Sequence, residues 1–254
     1  MYTLIDSHCH LDFDTFNRDR DAVIGRARRA GVEHIVIPGV HRKNWGPIRD
    51  ICEHDVRIHA CYGLHPYMAD EHDQNDIIHL ENWLDTNECV AIGECGLDYR
   101  KNQPDRQVQQ QFFSAQIGIA HAHGKPVVIH AVRATEDVIK AVANHPGLQG
   151  MVHSYSGSYE QALRLIDLGF YISFGGAITY TNAKKLRAAA SKLPLDAILL
   201  ETDAPDQPDT DHHGQRNEPA YLVKVLECLS GLRNEPVEAI AAQTTANAKA
   251  LFGL

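Results

Sequence analysis

Two histidines one residue apart open the chain at IDSHCHLD, where His8 and His10 are flanked in step by Asp6 and Asp12. In a β-strand, side chains at i and i+2 point to the same face. These four therefore point one way for as long as the strand lasts. Two imidazoles with carboxylates beside them form a donor set for a divalent metal ion. Read alone, the stretch also suits a polar strand edge or a solvated turn. Four later segments repeat the theme: GECG carries Glu94, VVIH carries His130, MVHSY carries His153 and ETDAP carries Asp203.

These residues need elements to bring them together. Short apolar runs rich in Val and Ile recur along the chain. They are TLIDSH (3–8), HIVIPG (34–39), RIHACYG (57–63), CVAIGE (89–94), KPVVIH (125–130), GMVHSY (150–155), FYISFGG (170–176) and AILLET (197–202). Amphipathic stretches separate them, among them RDAVIGRARRAG (20–31), QQFFSAQIGIAHAHG (110–124) and EQALRLIDLG (160–169). Several end in glycine just before the next run, where a left-handed helix cap belongs. Near-continuous apolar strands alternating with helices predict a parallel sheet covered on its faces. Eight such units in 254 residues favour an α/β architecture closed as a (β/α)8 TIM barrel, which typically takes about 250 residues. Residues 235–253 predict an extra C-terminal helix, and residues 1–254 read as one domain.

In such barrels the active site lies at the C-terminal ends of the strands. His8 and His10, Glu94, His130, His153 and Asp203 then gather from five strand ends. Any one of these histidines reads most simply as a hydrogen-bonded core or surface residue. Their coincidence at one end of the barrel is what favours a metal site. Six ligands are too many for one tetrahedral ion with an open position and suit two ions bridged by a carboxylate and a water. Glu94 stands midway in the set and is the natural bridge. Two ligand carboxylates against two divalent ions leave the centre positive, suited to holding a phosphate or polarising a carbonyl.

Composition narrows the setting. Hydrophobic residues make up 44% and charged residues 22% of the chain, an ordinary globular balance. No apolar run approaches membrane-span length and no leader pattern opens the sequence. The six scattered cysteines contain no C-x-x-C pair and suit free thiols in a reducing compartment. The expected location is cytoplasmic, with no membrane association and no obligate protein partner. A formal net charge of −9 argues against a broad electrostatic DNA-binding face, though not against phosphate chemistry in a metal-loaded cleft.

The segments DSHCHLD, GLHP (63–66), AIGECGLDY (91–99), PVVIHA (126–131), HSYSG (153–157), ETDAP (201–205) and RNEP (216–219) together resemble the TatD family of metal-dependent hydrolases. The resemblance runs in order from the first strand to the C-terminal helix. Known members of that family include deoxyribonucleases and exonucleases. The resemblance implies that His8, His10, Glu94 and Asp203 hold one ion, and that Glu94, His130 and His153 hold the other. It departs from the family pattern at Ser154 and Tyr155 and at Asp206-Gln207-Pro208, near the expected substrate mouth.

The expected activity is metal-dependent hydrolysis of phosphodiester bonds, as by a TatD-type deoxyribonuclease or exonuclease, with a water activated by two metal ions as nucleophile. Single-stranded DNA or another phosphate-containing molecule is the expected substrate. Asp203 is the candidate general base, and His65, in GLHP, the candidate contact to the scissile group. A plain turn histidine beside Pro66 is the competing reading of His65. The cofactors are two divalent ions (Zn²⁺, Mn²⁺ or Mg²⁺); the imidazoles suit the transition ions and Mg²⁺ prefers oxygen. Arg100, Lys101, Arg133 and Arg216 are the basic residues nearest the expected mouth, though Lys101 reads better as solvated surface charge. Asp98 and Tyr99 read as lining the pocket. Asp6 and Glu201 are candidates to orient imidazoles, Cys9 reads as packing, and Trp45 and Trp83 as core. The alternative is an amidohydrolase-type enzyme that cleaves a C–N or ester bond of a small molecule. The acidic charge and the few base-stacking aromatics favour that alternative; the motif match favours phosphodiester cleavage.

Overall fold

The computed structural model describes residues 2–254. Its strands are β1 (Leu4–Asp6), β2 (Val32–Pro38), β3 (Ile58–Tyr62), β4 (Ala91–Asp98), β5 (Val127–Val132), β6 (Gly150–Val152), β7 (Phe170–Phe174) and β8 (Ile198–Leu200). They pair in parallel in sequence order, from β1 to β8. Just past the strand ends the first and last strands meet: Ser7 N–H donates to Leu200 O at 3.0 Å and Asp203 N–H to His8 O at 2.9 Å. The result is a nearly closed (β/α)8 TIM barrel, as the apolar runs predict.

Helices α1 (Arg20–Arg29), α2 (Arg42–His54), α3 (Gln74–Leu84), α4 (Arg106–Ala122), α5 (Thr135–Ala143), α6 (Tyr159–Asp167), α7 (Lys184–Lys192) and α8 (Leu222–Arg233) follow their strands. The C-terminal helix α9 spans Val237–Phe252. Helices α1, α4 and α6 each stop within two residues of a glycine at positive φ, Gly31, Gly124 and Gly169. None of the helices is long and apolar enough to cross a membrane, among the described residues.

The barrel interior is filled by one buried residue from each of seven strands, Ile5, Val36, Cys61, Ala91, Val128, Met151 and Leu199, and by the partly buried Tyr171 of β7. Leu251 and Phe252 of α9 pack against this layer. Burying each of those two side chains is worth about 1.5–3 kcal/mol, so α9 seals the end away from the ligand-bearing one. A second apolar layer lies between strands and helices, with Trp45 fully buried and its Nε1–H donating to Gly63 O at 3.1 Å. Trp83 packs at the margin of this layer, its ring 6.0 Å from that of Trp45 and 5.7 Å from that of Tyr62. It is only partly buried, with the Arg49 guanidinium 5.6 Å from its ring.

Candidate metal centre

Strand β1 ends at Asp6, and the chain then runs extended between β2 and the segment after β8. Cys9 N–H donates to Val36 O at 3.0 Å and His10 N–H to Ala204 O at 2.8 Å. These bonds hold His8 and His10 over the barrel mouth, with their Nε2 atoms 3.3 Å apart. Cys9 is buried on the opposite side, as expected. The simple alternation fails for the flanking acids. Asp6 turns to the seam, where it accepts from Thr202 N–H at 2.9 Å and from the Thr202 hydroxyl at 2.5 Å. It also accepts from the backbone N–H of His8 at 3.3 Å, so it orients no imidazole. Asp12 turns the other way and accepts from Asn44 Nδ2 at 3.1 Å.

Glu94 is not at a strand end. It lies inside β4, which continues to Asp98, at a register shift between Ile92 and Cys95 against β5. The glycines on either side explain how. A Cβ at Gly93 would come 2.5 Å from Val128 O, and one at Gly96 would come 2.0 Å from His130 O. Gly93 and Gly96 also sit at φ 145° and 141°, which side chains rarely adopt. Only glycine lets β4 and β5 close in so tightly, and the local irregularity aims Glu94 at the mouth.

Its two carboxylate oxygens face two different groups. Glu94 Oε2 lies 3.2 Å from His8 Nε2 and 3.4 Å from His10 Nε2. Asp203 Oδ1 completes that group at 3.4 Å from His8 and 3.5 Å from His10. Glu94 Oε1 lies 3.0 Å from His130 Nδ1 and 2.8 Å from His153 Nε2, and those two nitrogens are 3.1 Å apart. Ligand atoms at about 2.1 Å from a tetrahedral ion stand about 3.4 Å from one another. The first group meets that spacing, and the second is slightly tighter. Glu94 Oε2 is also buried without a hydrogen-bond partner. Lone pairs converging on common points, with a buried oxygen unsatisfied, fit divalent cations.

The protonation preferences agree. Burial disfavours charge on His10 and His153, yet the Glu94 carboxylate beside them outweighs it. It raises the two imidazoles to about 9 and about 10. Burial would raise Glu94, but the surrounding imidazoles hold it well below the usual carboxylate range. His8 is pushed well below its ordinary value, first by burial and then by His153, against which its ring is stacked at 3.9 Å. The pocket calls for positive charge that its own imidazoles do not all supply.

His65 stands close, with Nε2 3.0 Å from Glu94 Oε1. Its Nδ1 accepts from Tyr67 N–H at 3.0 Å, so the ring proton sits on Nε2 and the residue is a donor toward the site. Asp98, read from the sequence as pocket lining, is the carboxylate that orients an imidazole: its Oδ2 is 3.1 Å from His130 Nε2. Glu201 comes no nearer than 3.8 Å to His153 Nδ1 and accepts from Ser154 N–H at 2.5 Å. Gln207 donates to Asp203 Oδ2 and accepts from the Ser154 hydroxyl at 2.8 Å, a role the sequence did not suggest. Of the cations, Arg100 is clasped by Asp98 at 2.5–3.0 Å, Arg216 by Asp19 and Glu218 at 2.8 Å, and Arg133 is exposed. The cavity over the centre holds about 490 Å³ and is walled by Phe13, Tyr67, Met68 and Val132.

A family model described as TatD related DNase matches residues 5–253. The chain is 37% identical over 253 residues to YjjV, an uncharacterized metal-dependent hydrolase of Escherichia coli K12, covering 98% of both. It is 36% identical over 251 residues to YabD, an uncharacterized metal-dependent hydrolase of Bacillus subtilis 168, again covering 98% of both. The crystal structure of YjjV, described as a TatD homologue, matches with a TM-score of 0.95 at 36% identity, over 99% of this chain and 98% of that one. A TatD family hydrolase of Entamoeba histolytica shares the fold with a TM-score of 0.85 at 20% identity, over 99% and 98% of the two chains. Matches of that length take in every strand of the barrel and the whole of its mouth, and the chain belongs to the TatD family of metal-dependent hydrolases.

Proposed function

We propose that this hydrolase cleaves phosphodiester bonds at the ends of single-stranded DNA. His8, His10, Glu94 and Asp203 would hold one divalent ion, and Glu94, His130 and His153 a second. The observation that carries this reading is the division of Glu94 between two donor groups, one carboxylate oxygen to each. When bound, the ions supply charge neutralisation for the phosphate and a lowered pKa for the attacking water.

The chain's own residues do the rest. Asp203 accepts the proton of the attacking water. Gln207 steadies its other carboxylate oxygen. His65 offers its Nε2–H to a phosphate oxygen as negative charge develops there. Asp98 fixes His130 so that its Nδ1 lone pair faces the centre. Arg100 lies on the cavity wall with its charge held by Asp98. The unpaired cysteines support the cytoplasm as the compartment.

Access favours a free end. The cavity over the centre is of small-ligand size and opens on one side, so a strand can thread in while an internal phosphate of a duplex cannot reach it. A chain of net charge −9 has little electrostatic energy to melt a duplex. The test is a time course on end-labelled single-stranded, blunt duplex and closed circular DNA, with Mg²⁺ and Mn²⁺ compared. The expected result is progressive shortening of the single strand. Rapid nicking of the closed circle contradicts the access argument. Cleavage of none of the three by metal-loaded protein transfers the reading to a small-molecule amide or ester.

A further inference from the structure

We propose that a groove beside the metal centre, formed by Tyr99, Arg106, Arg133, Ser158 and Lys185, carries the phosphate backbone of a single-stranded nucleic acid next to the scissile bond. The inference rests on the phosphodiesterase reading and adds the path of the strand. The groove has a volume of about 660 Å³, and Val132 is a wall of both this groove and the metal-centre cavity, so the two adjoin.

Its charge is positive in an acidic chain. Arg106, Arg133 and Lys185 are exposed and make no ion pair among the described residues. The two acids on the wall are already engaged. Glu136 accepts from Arg164 at 2.8 Å and from Gln161 at 2.9 Å, and Asp137 pairs with Lys140 at 3.3 Å. Two other arginines near the mouth are spent on neighbours, Arg100 on Asp98 and Arg216 on Asp19 and Glu218. A polyanion leaving the centre meets three unpaired cations gathered in this one groove.

Two features suit a nucleotide strand beyond charge alone. The Arg106 guanidinium lies 4.3 Å from the Tyr99 ring centroid, a layered surface on which a base can stack. Arg133 follows the last residue of β5 directly and holds φ at 54°. That conformation favours Gly or Asn, yet a long cation occupies it at the junction of the two cavities.

The experiment measures anisotropy of a short fluorescein-labelled phosphorothioate oligothymidylate on metal-loaded protein, from low to physiological salt. Arg133→Gln with Lys185→Gln should weaken binding roughly tenfold and lower the slope of log affinity on log salt by about 1.4, two phosphate contacts at about 0.7 each. Arg29→Gln with Lys192→Gln removes the same charge elsewhere and should keep the wild-type slope. Arg133→Gly should weaken binding with no fall in the thermal midpoint, because glycine takes that backbone conformation freely. An unchanged slope in the Arg133/Lys185 variant overturns the groove even if the enzyme cleaves DNA, as does absence of binding by the wild-type chain. Groove-dependent binding by an enzyme that cleaves no phosphodiester sustains the groove and removes the nuclease reading.

Discussion

The Asp98 carboxylate stands 3.1 Å from His130 Nε2, while the ring's other nitrogen lies 3.0 Å from Glu94 Oε1. One acid thereby sets the tautomer of an imidazole whose lone pair serves the centre. Such partners typically contribute 10–100-fold to metal affinity. Asp98→Asn should therefore weaken one of two ions by about 10–100-fold and leave the other nearly unchanged. Chelator competition on the stripped protein measures this. Equal weakening of both ions contradicts the assignment.

Glu94 and His65 are 3.0 Å apart but predict different losses. Glu94→Gln removes the charge shared by both groups and should lower metal content and activity together. His65→Ala should retain both ions and lower kcat by about 10²–10³-fold, the usual loss for one donor to developing negative charge. Metal analysis with steady-state kinetics separates the two. Loss of metal from His65→Ala would make it a ligand instead.

Much of this was legible in the sequence, and the failures share a cause. The eight apolar runs all became strands because fully buried parallel strands need no polar face. Period-two alternation, by contrast, holds only inside a strand. β1 stops at Asp6, so Asp6 and Asp12 leave the face that His8 and His10 share. Glu94 was found by its motif, but its place inside β4 depends on how Gly93 and Gly96 pack against β5. Arg216 looked free because Asp19, one of its two partners, is distant in sequence and Glu218, the other, reaches back to it only where the loop after β8 folds over.

Gly96 gives the sharpest packing prediction. A methyl there would overlap His130 O in a conformation alanine avoids. Gly96→Ala should cost at least about 2–3 kcal/mol, read from urea unfolding of the metal-stripped protein. A change within about 0.5 kcal/mol would mean that β4 and β5 have slack.

Near the strand starts, His34 Nδ1 and His59 Nε2 are 2.8 Å apart. Burial, then the charge of His34, lowers His59 to about 4, and burial, then Arg28, lowers His34. The folded pair stays neutral where the unfolded chain binds protons. Stability from this pair is therefore full above about pH 6.5 and falls as the pH drops toward about 4. Partial exposure of the rings limits the loss to roughly 1–2 kcal/mol. His59→Asn should shrink the difference in urea midpoint between pH 7 and pH 4.5, compared on metal-stripped protein. An undiminished difference assigns the acid sensitivity to other groups.

The central claim is that one carboxylate, Glu94, serves two ions at once. Titration of the stripped wild-type chain with Zn²⁺ or Mn²⁺, followed by calorimetry and elemental analysis, tests it most directly. The account predicts saturation at two ions per chain, with both affinities reduced in Glu94→Gln. Saturation at one ion, or a Glu94→Gln variant that binds two as tightly as the wild type, contradicts it.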